Sequence, residues 1–340
     1  MIPKKVILDC DPGSDDAIAM MLAMKSDAID LIGVTTVNGN RIVPKTTENA
    51  LRVVQFMKAS VPVYRGCEEP IICNEIPGRK PGLPRVTLND CHGDFLPLPE
   101  AEIRTEKEHA VFYLVKTLME SEGDIYVVAV GPLTNLAMAL RIEPKIAGKI
   151  KQLVIMGGGH CGANASPAAE FNFYADPEAA KIVMDSAIPK VILPLDATWR
   201  ACLSEEKCKE LAQLGTPEAK VAAALVQKRI DNLKVNDVSE HNYALRHQAG
   251  TVAGAMLYRY DNHMAPIHDA LAIAYLIDEN VVTELADANV DIDIAGGLCD
   301  GRMVADFHNA KKSKAPVTAK VALNSDAGLF TDMLFAALGK

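Results

Sequence analysis

The stretch Lys5-Val6-Ile7-Leu8-Asp9-Cys10-Asp11-Pro12-Gly13-Ser14-Asp15-Asp16 sets the reading of everything after it. Its first half is a short, continuous apolar run without polar alternation, as in a strand buried on both faces. Pro12-Gly13 turns the chain directly afterwards, and residues 17–25 read as a helix. Further on, 31–37 reads as a strand, 46–58 as a helix, and 61–64 as a short strand with Pro62 tolerable only near its start. A loop rich in Gly, Pro and Asn covers about 66–99. Strand 125–130 breaks at Gly131-Pro132 into helix 133–141. Strand 153–156 ends in Gly157-Gly158-Gly159, and helix 177–185 leads to strand 191–195. Residues 204–260 read as mainly helical, and a βαβ-like section (273–296, 317–323, helix 327–338) closes the chain. Apolar strands alternating with helices predict an α/β class: an open, mostly parallel, doubly wound (Rossmann-like) sheet with helices on both faces. No linker, repeat or low-complexity tract divides it, so residues 1–340 are expected to form one catalytic domain.

Composition narrows the function. The 340 residues carry 35 Lys plus Arg against 44 Asp plus Glu, a net charge of −9, which disfavours nucleic acid as a partner because gripping phosphates needs a basic face. No apolar run approaches the ~20 residues that span a bilayer, so no membrane role is expected. The apolar run near the start is too short for a signal-peptide core. The eight cysteines include no Cys-x-x-Cys pair, which argues against zinc knuckles and points to reduced thiols in a cytoplasmic protein.

In doubly wound sheets ligands sit beyond the carboxyl ends of the strands. The first such exit carries Asp9, Asp11, Asp15 and Asp16. A turn needs one cap, whereas two carboxylates ~4 Å apart repel by about 4 kcal/mol at an effective dielectric near 20. A cation would relieve this, and an all-oxygen donor set favours Ca2+ or Mg2+ over zinc. His268-Asp269 precedes the apolar helix 270–277, where Asp269 taken alone reads first as a helix cap. After Gly157-Gly158-Gly159 come His160, Asn164, Glu170 and Asn172. Neither a Walker lysine nor a GxGxxG pattern accompanies those glycines.

These pieces, in this order and over nearly the whole chain, resemble the nucleoside hydrolase family, the inosine–uridine-preferring N-ribohydrolases. The resemblance rests on Asp9-Cys10-Asp11-Pro12-Gly13 with Asp15-Asp16, Thr35-Thr36-Val37 with Asn40, Gly131-Pro132-Leu133-Thr134-Asn135, Met156-Gly157-Gly158-Gly159, Glu170-Phe171-Asn172 and His268-Asp269. It implies Ca2+ as cofactor, held by Asp11, Asp16, Asp269 and the Val130 carbonyl. Asp15, Asn40, Met156, Asn164, Glu170 and Asn172 would bind the ribose, with Asn164 and Glu170 at its 5′ end. His92 and His268 would lie toward the base. Asp11 would be the general base that activates water, and His268 the acid for the leaving base. The implied activity is hydrolysis of the N-glycosidic bond of ribonucleosides, in nucleoside salvage, by a homodimer or homotetramer. Two features depart from the family at the base end. A second glycine is missing after His92-Gly93, and Trp199 stands where many relatives carry histidine; a tryptophan after a strand is more often packing, with stacking on a base as the alternative.

Two other functions fit these residues less well. Asp-x-Asp after a first strand also opens haloacid-dehalogenase-like phosphatases, but those continue with Gly-Thr, not Pro-Gly-Ser-Asp-Asp. A non-catalytic binder of metal or nucleoside would not need a general base beside Asp16, Asn172 and His268.

Overall fold

The computed structural model describes residues 2–72, 75, 92–235, 263–307 and 316–340. A nine-stranded sheet runs in the order β10-β9-β11-β6-β5-β4-β1-β2-β3. Its strands are β1 (Lys4–Cys10), β2 (Ile29–Thr36), β3 (Val63–Arg65), β4 (Ile125–Ala129), β5 (Ile150–Met156), β6 (Lys190–Leu193), β9 (Val282–Ile292), β10 (Met303–Asp306) and β11 (Ala319–Ser325). A separate pair joins β7 (Cys202–Ser204) to β8 (Met264–Pro266). The helices are α1 (Ser14–Lys25), α2 (Val43–Phe56), α3 (Ala110–Glu120), α4 (Thr134–Ile142), α5 (Phe171–Ala175), α6 (Pro177–Met184), α7 (Leu195–Thr198), α8 (Glu205–Gln213), α9 (Pro217–Val235), α10 (His268–Ile277) and α11 (Ala327–Leu338).

Alternate residues of each central strand feed two apolar layers. Val6, Leu8, Val128, Val154 and Val191 enter one layer with α1, α9, α10 and α11; Ile7, Val127, Leu153 and Ile192 enter the other with α3, α4 and α6. Burial on both faces is why β1 reads as unbroken Val-Ile-Leu. From β1 the chain proceeds to β2 and β3 on one side and to β4, β5 and β6 on the other. The strand order therefore reverses between β1 and β4, which opens a crevice at their carboxyl ends. The mostly parallel, doubly wound prediction holds.

The closing section is a correction. β9 pairs antiparallel with both β10 and β11, whereas β11 pairs parallel with β6, so β9 alone among these strands runs against the sheet. A parallel step needs a crossover of a dozen or more residues. The short link from β9 to β10 folds back instead, and residues 273–277 belong to α10 rather than to a strand. Pro62 lies just outside β3, and Pro194 ends β6. Of the expected helix over 204–260, residues 236–260 lie outside the described residues, as do 73–74 and 76–91 of the long loop. Among the described residues no helix is long and apolar enough to cross a membrane, and Cys10, Cys67, Cys161, Cys202, Cys208 and Cys299 are free thiols.

Candidate active site

Two helices buried on nearly every side aim their first turns at one point. In α1, Ser14 to Ala23 are all buried, and in α10 so are His268 to Leu276. Such helices belong inside a core. They pack against each other, which brings Asp15 and Asp16 of α1 to Asp269 of α10. Oxygens of these three buried carboxylates lie within 4.8 Å of one another. Helix N-termini are the favourable place for such charge, since their backbone N–H groups carry partial positive charge.

The turn before α1 is closed by its own acid. Asp16 accepts from the Gly13 N–H at 2.9 Å and the Asp11 N–H at 3.2 Å, as the acidic member of a capping arrangement. Asn40, beyond β2, donates its backbone N–H to Asp11 and its side chain to the Asp11 carbonyl at 3.1 Å and to Asp16 at 3.3 Å. Asp11 lies between two glycines. A Cβ on Gly39 would fall 1.9 Å from its Oδ2, and one on Gly131 2.6 Å from its Oδ1. Behind it the buried Asp9 accepts from Thr35 Oγ1 at 2.6 Å and Asn135 Nδ2 at 2.8 Å, and burial pushes its carboxyl up to about 6.

Across the crevice Asn172 donates to the Val130 carbonyl at 2.8 Å and the Met156 carbonyl at 3.0 Å, tying the exits of β4 and β5 together. Glu170 caps α5. It accepts from the Asn172 N–H and the Gly158 N–H, each at 2.8 Å, and burial pushes it up to about 7 against those donors. His268 Nδ1 bonds Thr198 Oγ1 at 2.8 Å. His92 Nδ1 accepts from the Ser14 N–H at 3.0 Å and lies 3.9 Å from Asp15 Oδ1. The segment carrying His92 is anchored: Leu96 is buried and donates its N–H to Asn49, while Asp94 pairs with Arg41 and Lys45.

Electrostatics set Asp15 apart. Burial and the charge of Asp16 push Asp11 well up; burial with Asp15, Asp16 and Asp11 does the same to Asp269; and burial with Asp15 raises Asp16 to about 6. For Asp15 burial also acts upward, but the Arg229 guanidinium, then His92 and His268, outweigh it and hold its carboxyl below the usual range. A divalent cation fits this donor set: buried, all-oxygen, mutually repelling carboxylates beside a carbonyl at the exit of β4.

The structure thus gathers Asp11, Asp15, Asp16, Asn40, His92, His268 and Asp269 beyond the exit of β1, with Val130 at the adjoining exit of β4 and Asn172 bridging from it to Met156 beside Glu170. Asn164 is exposed in a bend next to Glu170, its Oδ1 accepting from the Phe171 N–H at 2.8 Å. Trp199 is buried, its ring lying where a Cβ on Gly162 would reach. Sequence reasoning missed Thr198 and Arg229. Arg229 pairs with Asp15 at 2.8 Å from α9. It follows Ala222, Leu225 and Val226, all buried, at spacings of seven, four and three. An arginine in register with a buried helical stripe was the signal that could have found it.

The chain is similar to known proteins over nearly its whole length. Residues 6–332 match the family model described as inosine-uridine preferring nucleoside hydrolase. A pyrimidine-specific ribonucleoside hydrolase, RihB, from Escherichia coli O157:H7 is 36% identical over 333 residues, covering 96% of this chain and 95% of that protein. Among solved structures, a purine-preferring ribonucleoside hydrolase from Gardnerella vaginalis superposes with a TM-score of 0.82 at 25% identity over 99% of this chain and 98% of its own. A plant nucleoside hydrolase does so with 0.79 at 28%, over 99% of each chain. A phosphatase reading of Asp9-x-Asp11 is set aside by these matches. The chain belongs to the inosine-uridine preferring nucleoside hydrolase family and is a hydrolase of the N-glycosidic bond of ribonucleosides.

Proposed function

We propose that the chain is a Ca2+-dependent ribonucleoside hydrolase acting on free nucleosides in salvage, with pyrimidine ribonucleosides preferred. The observation that carries the reading is the meeting of Asp15, Asp16 and Asp269 within 4.8 Å, beside Asp11 and His268, at the point where the strand order reverses. The pyrimidine preference is supported by the 36% identity to a pyrimidine-specific relative. Asp11, Asp16, Asp269 and the Val130 carbonyl would hold Ca2+, whose charge would bind sugar hydroxyls and favour deprotonation of a nearby water.

The remaining work falls to side chains of this chain. Asp15, Asn40 and Asn172 hold the 2′- and 3′-hydroxyls, with Met156 lining the ribose and Asn164 and Glu170 toward its 5′ end. Asp11, fixed by the Asn40 N–H, takes a proton from water as the oxygen bonds to C1′. The C1′–N bond breaks through an oxocarbenium-like transition state, its electron pair leaving with the base. Neighbouring carboxylates stabilise the positive charge on the sugar. His268, its ring set by Thr198, gives the departing base a proton, and His92 borders that base. The enzyme is read as cytoplasmic and as a homodimer or homotetramer, an assembly checked by light scattering.

One panel tests the reading. Purified protein is assayed for base and ribose release from uridine, cytidine, inosine, adenosine and guanosine, before and after chelation and with Ca2+ restored. Turnover led by uridine and cytidine, lost on chelation and regained with Ca2+, is expected. No base release from any nucleoside would overturn it, and release unaffected by chelation would remove the metal.

A further inference from the structure

Arg229 stands outside every role assigned so far. Its Nη1 lies 2.8 Å from Asp15 Oδ1 and 3.5 Å from Ser14 Oγ, and its side chain is 11% exposed. The helix that carries it is bound to α1 along its length. Ala222, Leu225, Val226 and Ile230 share the apolar layer of Ile18, Met21 and Leu22, and Lys25 pairs with Glu218 at 2.8 Å. Between the two ion pairs, eleven residues of α9 rise about 16 Å and ten residues of α1 about 15 Å. The match makes the helices antiparallel and in register, and delivers Arg229 to the first turn of α1.

We propose that Arg229 is a positioning residue that clamps one oxygen of Asp15 and so aims the carboxylate at the ribose hydroxyls, sharpening selection of ribonucleosides over 2′-deoxyribonucleosides. The inference rests on the ribose-binding role given to Asp15 above. Asp15 shares a buried site with Asp16 and Asp269, whose charges push its carboxylate to swing away. A guanidinium is suited to oppose that swing, because its rigid, planar donors hold a carboxylate in one orientation where an ammonium only attracts it. An orientation lost at Asp15 would be felt in sugar binding more than in the chemical step, which lies with Asp11 and His268.

Steady-state kinetics with Ca2+ on uridine and 2′-deoxyuridine, with thermal melts, test this on the wild type, Arg229→Gln, Arg229→Lys and Glu218→Gln. In Arg229→Gln we expect KM for uridine to rise about tenfold, kcat to stay within about threefold, and the ratio of kcat/KM between the two nucleosides to contract about tenfold. Arg229→Lys should contract the ratio by about threefold. Glu218→Gln removes the other ion pair between the same helices and should lower Tm with the ratio unchanged. A folded Arg229→Gln with the wild-type ratio would overturn the proposal, as would an equal contraction in Glu218→Gln. Should Arg229→Gln fail to fold, Arg229→Lys decides: a contracted ratio upholds the clamp and a wild-type ratio removes it. A wild type that turns over no nucleoside would instead defeat the proposed function, before any variant is compared.

Discussion

Asp11 is buried and hydrogen-bonded to the Asn40 N–H, with glycine on two sides, so its carboxylate is held in one orientation, as the base proposed for it requires. Asp11→Asn keeps the shape and removes the base, and should lower kcat by about 10²–10⁴-fold while KM changes little. Steady-state kinetics would detect a near-wild-type kcat, which would take Asp11 out of the mechanism. Glu170 gives a pH signature. Its carboxyl, raised to about 7 in the fold, binds a proton more tightly there than in the unfolded chain. Its contribution to stability is therefore full below the unfolded value near 4.3 and lost as pH rises through about 7, a difference of up to about 4 kcal/mol. Melts from pH 4.5 to 7.5 should show a shallower decline in Glu170→Gln than in wild type, and equal slopes would refute the assignment. The acidic side chains were legible because four lie within eight consecutive residues. Arg229 was not, because one charge in a helix reveals its target only once the helix has a direction.

Turns at strand exits carry the proposed site, and their spacing is a property of whole elements. Gly39→Ala makes the point. Its Cβ would collide with the whole Asp11 side chain, down to a Cβ at 2.7 Å that rotation of the carboxyl group does not move. The turn has to shift as well as the carboxylate. We expect kcat/KM to fall at least 100-fold, since a 1 Å misplacement can cost that much, with Tm falling too. A large loss of Tm with normal activity in the remaining folded protein would contradict this. Apolar continuity placed β1, β2 and β4 to within about two residues, because strands covered on both sides have one physical solution. Elsewhere local pattern failed. In α3 the exposed Phe112 sits between buried Val111 and Tyr113 and blurs the stripe. β7 and β8, three residues each, exist only through their partner. The direction of β9 depends on its neighbours, which no alternation along one strand encodes.

On the scale of the molecule, metal binding and folding should be linked. A ligand that binds only the folded chain stabilises it by about 2.7 kcal/mol at 100 times its Kd. Adding Ca2+ to chelator-stripped protein should raise Tm by several degrees, and Asp269→Asn should abolish most of that rise. A Tm indifferent to Ca2+ in the wild type would sever the link. The reversal of strand order falls between β1 and β4, where the parallel sheet predicted the site, whereas the one reversed strand, β9, lies four strands away from β4 along the sheet. The packing of α1 on α10 has a consequence for biosynthesis. The first acids to leave the ribosome must wait for nearly the last quarter of the polypeptide before they have anything to share. A nascent or truncated chain ending ahead of α10 would be inert toward nucleosides, so the cell gains no glycosidase until the body that shelters it is built.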